Sequence, residues 1–217
     1  MFNEIKAVIF DMDGTLIDSM GVWSKIDIDF LERRGFQVPE NLKLNIEHLT
    51  FLECAEYFKR NFALDDTLQE IMDEWTEMAS YEYEYNIKLK PGVKEYLNFL
   101  KVLGIKISIA TSNNLFLIER VLKNNEVFSF FDSITTTDEV TRGKNFPDIY
   151  LLAAKKLGVI PKECVVFEDI LPAILGAKAA GMKVVGVHDT YSDYQQEDII
   201  KHADKYIFEF YELIDAV

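Results

Sequence analysis

Residues 5–15 read Ile-Lys-Ala-Val-Ile-Phe-Asp-Met-Asp-Gly-Thr. A short apolar run rich in β-branched side chains ends abruptly at Asp11, Asp13 and Gly14. Such a run reads as a buried strand, which puts both aspartates at its carboxyl end. In a sheet of parallel strands that is the end where ligands bind. Side chains at i and i+2 share a face of an extended chain, so the two carboxylates lie roughly 7 Å apart. Charges that close repel unless a proton or a cation intervenes. A divalent ion fits, and hard oxygen ligands favour magnesium.

Working outward, no second strand is convincing until about residue 105. Val22, Trp23, Ile26 and Phe30 recur at helical spacing, and Gly35 stops that helix. Further helices are expected over 50–60 and 65–84, the second ending in Tyr81-Glu-Tyr-Glu-Tyr85 as it returns. Pro91-Gly92 then opens a helix carrying Val93, Leu97, Leu100 and Leu103 inward. Strands over 105–110, 133–136, 164–167, 183–187 and 205–208 alternate with helices over 114–124, 148–157 and 172–180, and a helix ends the chain. Alternation of this kind implies right-handed crossovers and a doubly wound, parallel-sheet α/β fold, Rossmann-like, with an all-helical insertion.

Three later strand ends also carry polar residues. Thr111-Ser112-Asn113 offers a hydroxyl and free backbone donors at a helix start, a natural anion site. Lys144 precedes a helix and supplies a point charge for a phosphoryl oxygen. Glu168-Asp169 adds two carboxylates for a metal. Each alone has an ordinary structural explanation: a helix cap, a solvated lysine, a helix start. An EF-hand loop is excluded, because Leu16 and Val22 stand where that loop needs glycine and glutamate. All four groups at successive strand ends make one phosphate- and metal-binding site.

Composition narrows the function. The chain has 217 residues, 49% of them hydrophobic, which is enough for a packed core. Its net charge of −14 argues against nucleic acid, which requires a basic patch. No apolar stretch approaches the roughly 20 residues of a membrane span, and no signal peptide is expected ahead of the first strand. Cys54 and Cys164 sit far apart and suggest reduced thiols, so a cytoplasmic address is the default. His48, His188 and His202 lack a second ligand at metal spacing. No obligate protein partner is evident.

At these residues the sequence resembles the haloacid dehalogenase superfamily, in its phosphatase and β-phosphoglucomutase-like subgroup. Phe10 to Ser19 match the first motif, Thr111 the second, Lys144 with Pro147-Asp148 the third. Phe167-Glu168-Asp169 with Ala179-Ala180-Gly181-Met182 match the fourth. The resemblance implies a Rossmann-like core of residues 1–15 and 85–217 with a helical cap of residues 16–84. It implies a magnesium-dependent phosphatase acting on a small phosphorylated metabolite such as a sugar phosphate. Asp11 would form an aspartyl-phosphate while Asp13 serves as general acid and base. Magnesium would be held by Asp11, the Asp13 carbonyl, Asp169 and Glu168, and Thr111, Ser112 and Lys144 would bind the phosphoryl oxygens.

Three positions depart from the pattern. Ile170 replaces a serine that can assist a metal-bound carboxylate, and Ala173 replaces a glycine. Asn145 stands where a proline commonly follows the lysine. Ser19, Met20, Trp23 and Asn113 are the candidates for substrate contact. A mutase would carry a histidine and an arginine on its cap; the segment 19–25 lacks the histidine and the loop Glu47-His48-Leu49-Thr50 lacks the arginine. The alternatives are a β-phosphoglucomutase-like phosphosugar mutase and a phospholigand-binding protein without turnover.

Overall fold

The computed structural model describes residues 4–214. Its first strand, β1 (Ala7–Phe10), is buried along its whole length, as a central parallel strand must be. Four helices follow in the insertion: α1 (Met20–Arg33), α2 (Leu42–Ile46), α3 (Phe51–Asn61) and α4 (Leu68–Tyr81). Then come α5 (Val93–Val102), β2 (Lys106–Thr111), α6 (Leu115–Asn124) and β3 (Ser133–Thr136). The remaining elements are α7 (Asp148–Leu157), β4 (Cys164–Glu168), α8 (Leu171–Ala179), β5 (Lys183–Val187), α9 (Gln196–His202) and β6 (Lys205–Ile207).

The strands form one six-stranded sheet in the order β3-β2-β1-β4-β5-β6, every pairing parallel. The chain builds to one side of β1 through β2 and β3, then crosses to the other side for β4. That reversal opens a crevice at the carboxyl ends of the strands flanking β1, where ligands bind in such sheets. Alternation along β1 divides the core. Ala7 and Ile9 pack with Ile149, Ala153 and Ile174 from α7 and α8. Val8 and Phe10 face the other way, among Tyr96, Leu97 and Ile118 from α5 and α6. The core on that side runs on into the helical insertion, through Phe30, Phe58, Ile71 and Trp75.

The insertion leaves and rejoins the sheet through two adjacent segments. Ile17 pairs antiparallel with Leu89; Asp18 N–H donates to Lys88 O at 3.1 Å and Lys90 N–H to Leu16 O at 2.9 Å. A separate contact ties it to the far edge of the crevice, where Glu47 accepts hydrogen bonds from Tyr194 and from Gln195.

Several elements differ from the sequence reading. Leu103 is half exposed and lies just past the end of α5 rather than inside it. The helix read over 65–84 begins at Leu68 and gives way after Tyr81 to a π-turn, Glu82–Asn86. Tyr83 there is wholly buried between exposed Tyr81 and Tyr85, continuing at i+4 spacing the buried face of Ile71, Trp75 and Ala79. The short helix α2 was not anticipated. In place of a terminal helix the described residues show a 3-10 turn, Phe210–Leu213.

Candidate active site

The end of β1 is pinned before its aspartates are reached. Asp11 N–H still donates to Phe167 O at 2.9 Å, so Asp11 continues the register with β4. The chain then turns at Gly14, whose φ of +80° favours glycine and whose missing side chain leaves room for the Asp169 carboxylate. Asp11, Glu168 and Asp169 are all buried, and each offers a carboxylate oxygen within 4.8 Å of the others. Lys144 reaches the same point, its Nζ 2.5 Å from Asp11 Oδ1 and 2.5 Å from Glu168 Oε1.

Three carboxylates around one ammonium leave an excess of negative charge, and the titration behaviour reflects it. Burial, then Asp11 and Glu168, hold Asp169 well above the usual carboxylate range. Burial lifts Glu168 to about 8; Lys144 pulls it down and Asp11 pushes it up. Burial opposes the charge on Lys144, but Asp11 and Glu168 together raise it above an ordinary lysine.

A divalent cation suits this donor set. Glu168 Oε1 is engaged by Lys144 and by the Tyr150 hydroxyl at 2.8 Å, whereas the buried Glu168 Oε2 has no hydrogen-bond partner. An orphaned carboxylate oxygen beside two further carboxylates is the chemistry of a hard-cation site. Asp169 is held from outside: Thr15 Oγ1 donates to its Oδ1 at 3.1 Å and Ser192 Oγ to its Oδ2 at 3.4 Å.

Asp13 is outside this cluster and faces the insertion. Its Oδ1 accepts from Ser19 Oγ at 2.7 Å, from Trp23 Nε1 at 3.3 Å and from the Tyr83 hydroxyl. Its Oδ2 accepts from Asn113 Nδ2 at 3.0 Å. Burial and then Asp11 raise its pKa, and the bonds from Ser19, Tyr83 and Asn113 oppose the rise.

A cavity of about 230 Å³ runs from these carboxylates into the insertion. Thr111, Ser112 and Asn113 line it on the sheet side, and Met20, Trp23 and Asp27 on the helical side. Thr111 is buried, and its Oγ1 accepts from Asn113 N–H at 3.1 Å. The α6 cap falls to Asn114, which accepts from Leu117 N–H, leaving Ser112 and Asn113 facing the cavity.

The structure thus brings Asp11, Asp13, Thr111, Ser112, Lys144, Glu168 and Asp169 to the wall of one cavity. Of the substrate-contact candidates, Met20 faces the cavity, whereas Ser19, Trp23 and Asn113 spend polar atoms on Asp13. Sequence reasoning missed Thr15, Tyr83, Tyr150 and Ser192. Thr15 lay in plain view within the first motif. Tyr83 and Tyr150 continue buried helical faces, but the long-range contacts of their hydroxyls, and of Ser192, with particular carboxylates do not show in periodicity.

The sequence pattern of haloacid dehalogenase-like hydrolases matches residues 5–181. Hexitol phosphatase B of Escherichia coli (strain K12) is 30% identical over 85% of this chain and 84% of its own. The phosphorylated carbohydrates phosphatase of Thermotoga maritima is 31% identical over 87% of this chain and 88% of its own. The crystal structure of CbbY from Rhodobacter sphaeroides in complex with phosphate aligns over 96% of both chains, with TM-score 0.84 and 26% identity.

Proposed function

Because the chain belongs to the haloacid dehalogenase-like hydrolases and is a phosphoric monoester hydrolase, we propose that it removes phosphate from a small metabolite in two displacements on Asp11. The observation that carries this reading is the Asp11 carboxylate, buried at a strand end with Lys144 on its Oδ1 and two further carboxylates at its side. The two carbohydrate-phosphate phosphatases among its relatives favour a sugar or polyol phosphate as the substrate class.

In the first displacement an Asp11 oxygen bonds to phosphorus as the ester P–O bond breaks, and Asp13 gives a proton to the departing alkoxide. In the second, Asp13 takes a proton from water while the water oxygen bonds to phosphorus and Asp11 is released. Lys144, Thr111 and the Ser112 N–H hold the phosphoryl oxygens as charge redistributes over them. A magnesium ion held by Asp11, Glu168, Asp169 and the Asp13 carbonyl would screen the repulsion between nucleophile and phosphate. Residues 16–84 act as a cap over a core of residues 1–15 and 85–217, closing to exclude water from the first step and opening for the second. The paired segments at 16–18 and 88–90 are the natural hinge.

The test is phosphate release from a panel of small phosphate esters, with and without magnesium, for the wild type and for Asp11→Asn. Magnesium-dependent release that the variant loses, with its circular dichroism unchanged, is the expected result. Substantial turnover by purified Asp11→Asn would rule the mechanism out.

A further inference from the structure

The four residues on Asp13 also bind one another. The Tyr83 hydroxyl oxygen accepts from Trp23 Nε1 at 2.6 Å and from Asn113 Nδ2 at 3.0 Å. Indole and amide N–H groups can only donate, so both must point their protons at that oxygen. The hydroxyl's own proton goes to Asp13 Oδ1. Its direction is fixed by its neighbours. Tyr83 is fully buried, and its ring meets that of Trp23 edge-on at 6.1 Å, so the phenol has little freedom to move.

Resting on the phosphatase reading, we propose that Tyr83 is a positioning residue for Asp13, anchoring Oδ1 so that Oδ2 is the atom that gives and takes the proton. Ser19 and Tyr83 occupy the two lone pairs of Oδ1, with the single Trp23 proton shared towards it at 3.3 Å, and none is left to hold a proton. Oδ2 has one donor, Asn113, and keeps a free lone pair. In the first displacement the ester oxygen keeps the P–O bond pair and takes the proton from Oδ2. In the second, Oδ2 takes a proton from water as the new P–O bond forms and the bond from phosphorus to Asp11 breaks. Ser19 precedes α1, Trp23 lies on it, and Tyr83 lies in the returning π-turn. Correct aim of the acid therefore depends on both connections of the insertion.

Tyr83→Phe deletes the hydroxyl and keeps the ring. The measurement is kcat/KM, which reports the first displacement, for p-nitrophenyl phosphate and for the best alkyl phosphate of the panel. Nitrophenolate leaves without a proton and an alkoxide does not, so an ill-aimed acid penalises the alkyl ester selectively. The ratio of alkyl to aryl kcat/KM should fall about tenfold or more, with Trp23→Phe moving it the same way. In an Asp13→Asn background, Tyr83→Phe should leave the ratio unmoved, because the residue acts through Asp13. Equal losses on both esters, or an undiminished effect of Tyr83→Phe in that background, would overturn the assignment. Failure of the wild type to turn over either ester would instead remove the phosphatase reading, and the inference with it.

Discussion

Thr15 does not line the cavity, yet it sets the aim of a carboxylate that the metal reading requires. Its hydroxyl is wholly buried and donates to Asp169 Oδ1 at 3.1 Å, while Ser192 holds the other oxygen at the longer distance of 3.4 Å. Thr15→Val keeps the shape and removes the donor. Hydrogen bonds to metal-bound groups are typically worth ten- to a hundredfold in metal affinity. The magnesium concentration for half-maximal activity should therefore rise about tenfold in Thr15→Val, with kcat at saturating magnesium much less affected; a titration of activity against magnesium measures both. Residues such as Thr15 are legible because their place in the chain is fixed by a strand end. Tyr83 is the opposite case. Its neighbours Tyr81 and Tyr85 are exposed, on the face opposite the i+4 series Ile71, Trp75, Ala79 and Tyr83. The spacing tells which tyrosine turns inward, but not that its hydroxyl meets Asp13.

At the scale of elements, α8 supports Lys144 by close backbone approach. Gly176 in α8 lies against the carbonyls of Lys144 and Phe146, and a Cβ there would run into both. Backbone cannot step aside as a flexible side chain does, so Gly176→Ala must displace the loop carrying Lys144 or the helix itself. Overpacking of this kind costs about 1–3 kcal/mol. Activity should fall by about tenfold or more, and urea denaturation should show the accompanying loss of stability. On the insertion, Thr67 accepts from Glu70 N–H while Glu70 accepts from Thr67 N–H, a reciprocal cap at the start of α4. Thr67→Ala should cost about 1 kcal/mol in the same assay, with kcat unchanged, because the cap is exposed and far along the chain from the site. Element existence followed from periodicity and strand composition almost throughout the α/β portion. The failures share a cause: Leu103 keeps the helical period but comes after the last α5 turn, and α2 is too short for a period to show.

For the whole molecule, the cavity carries a cost that depends on pH. Asp27 lines it from α1, and burial alone raises its pKa to about 7, with no cation or donor to offset the rise. The folded protein therefore holds this proton more tightly than the unfolded chain, where the value is 3.8. Stability from this group is full below that unfolded value and declines as pH rises towards 7, where the decline levels off. Asp27→Asn stays neutral throughout. Its stability relative to wild type should grow between about pH 4 and pH 7, by on the order of 1–3 kcal/mol, as thermal melts across that range would show. The two segments that join the insertion to the sheet lie side by side, paired at Ile17 and Leu89. A module whose entrance and exit coincide can be exchanged for another without disturbing the sheet. Here the exchanged piece would carry away the helical wall of the cavity together with Trp23 and Tyr83. Any replacement must bring its own way of aiming Asp13, so a lineage that trades this module for a new substrate has to re-evolve its proton transfer in the same step.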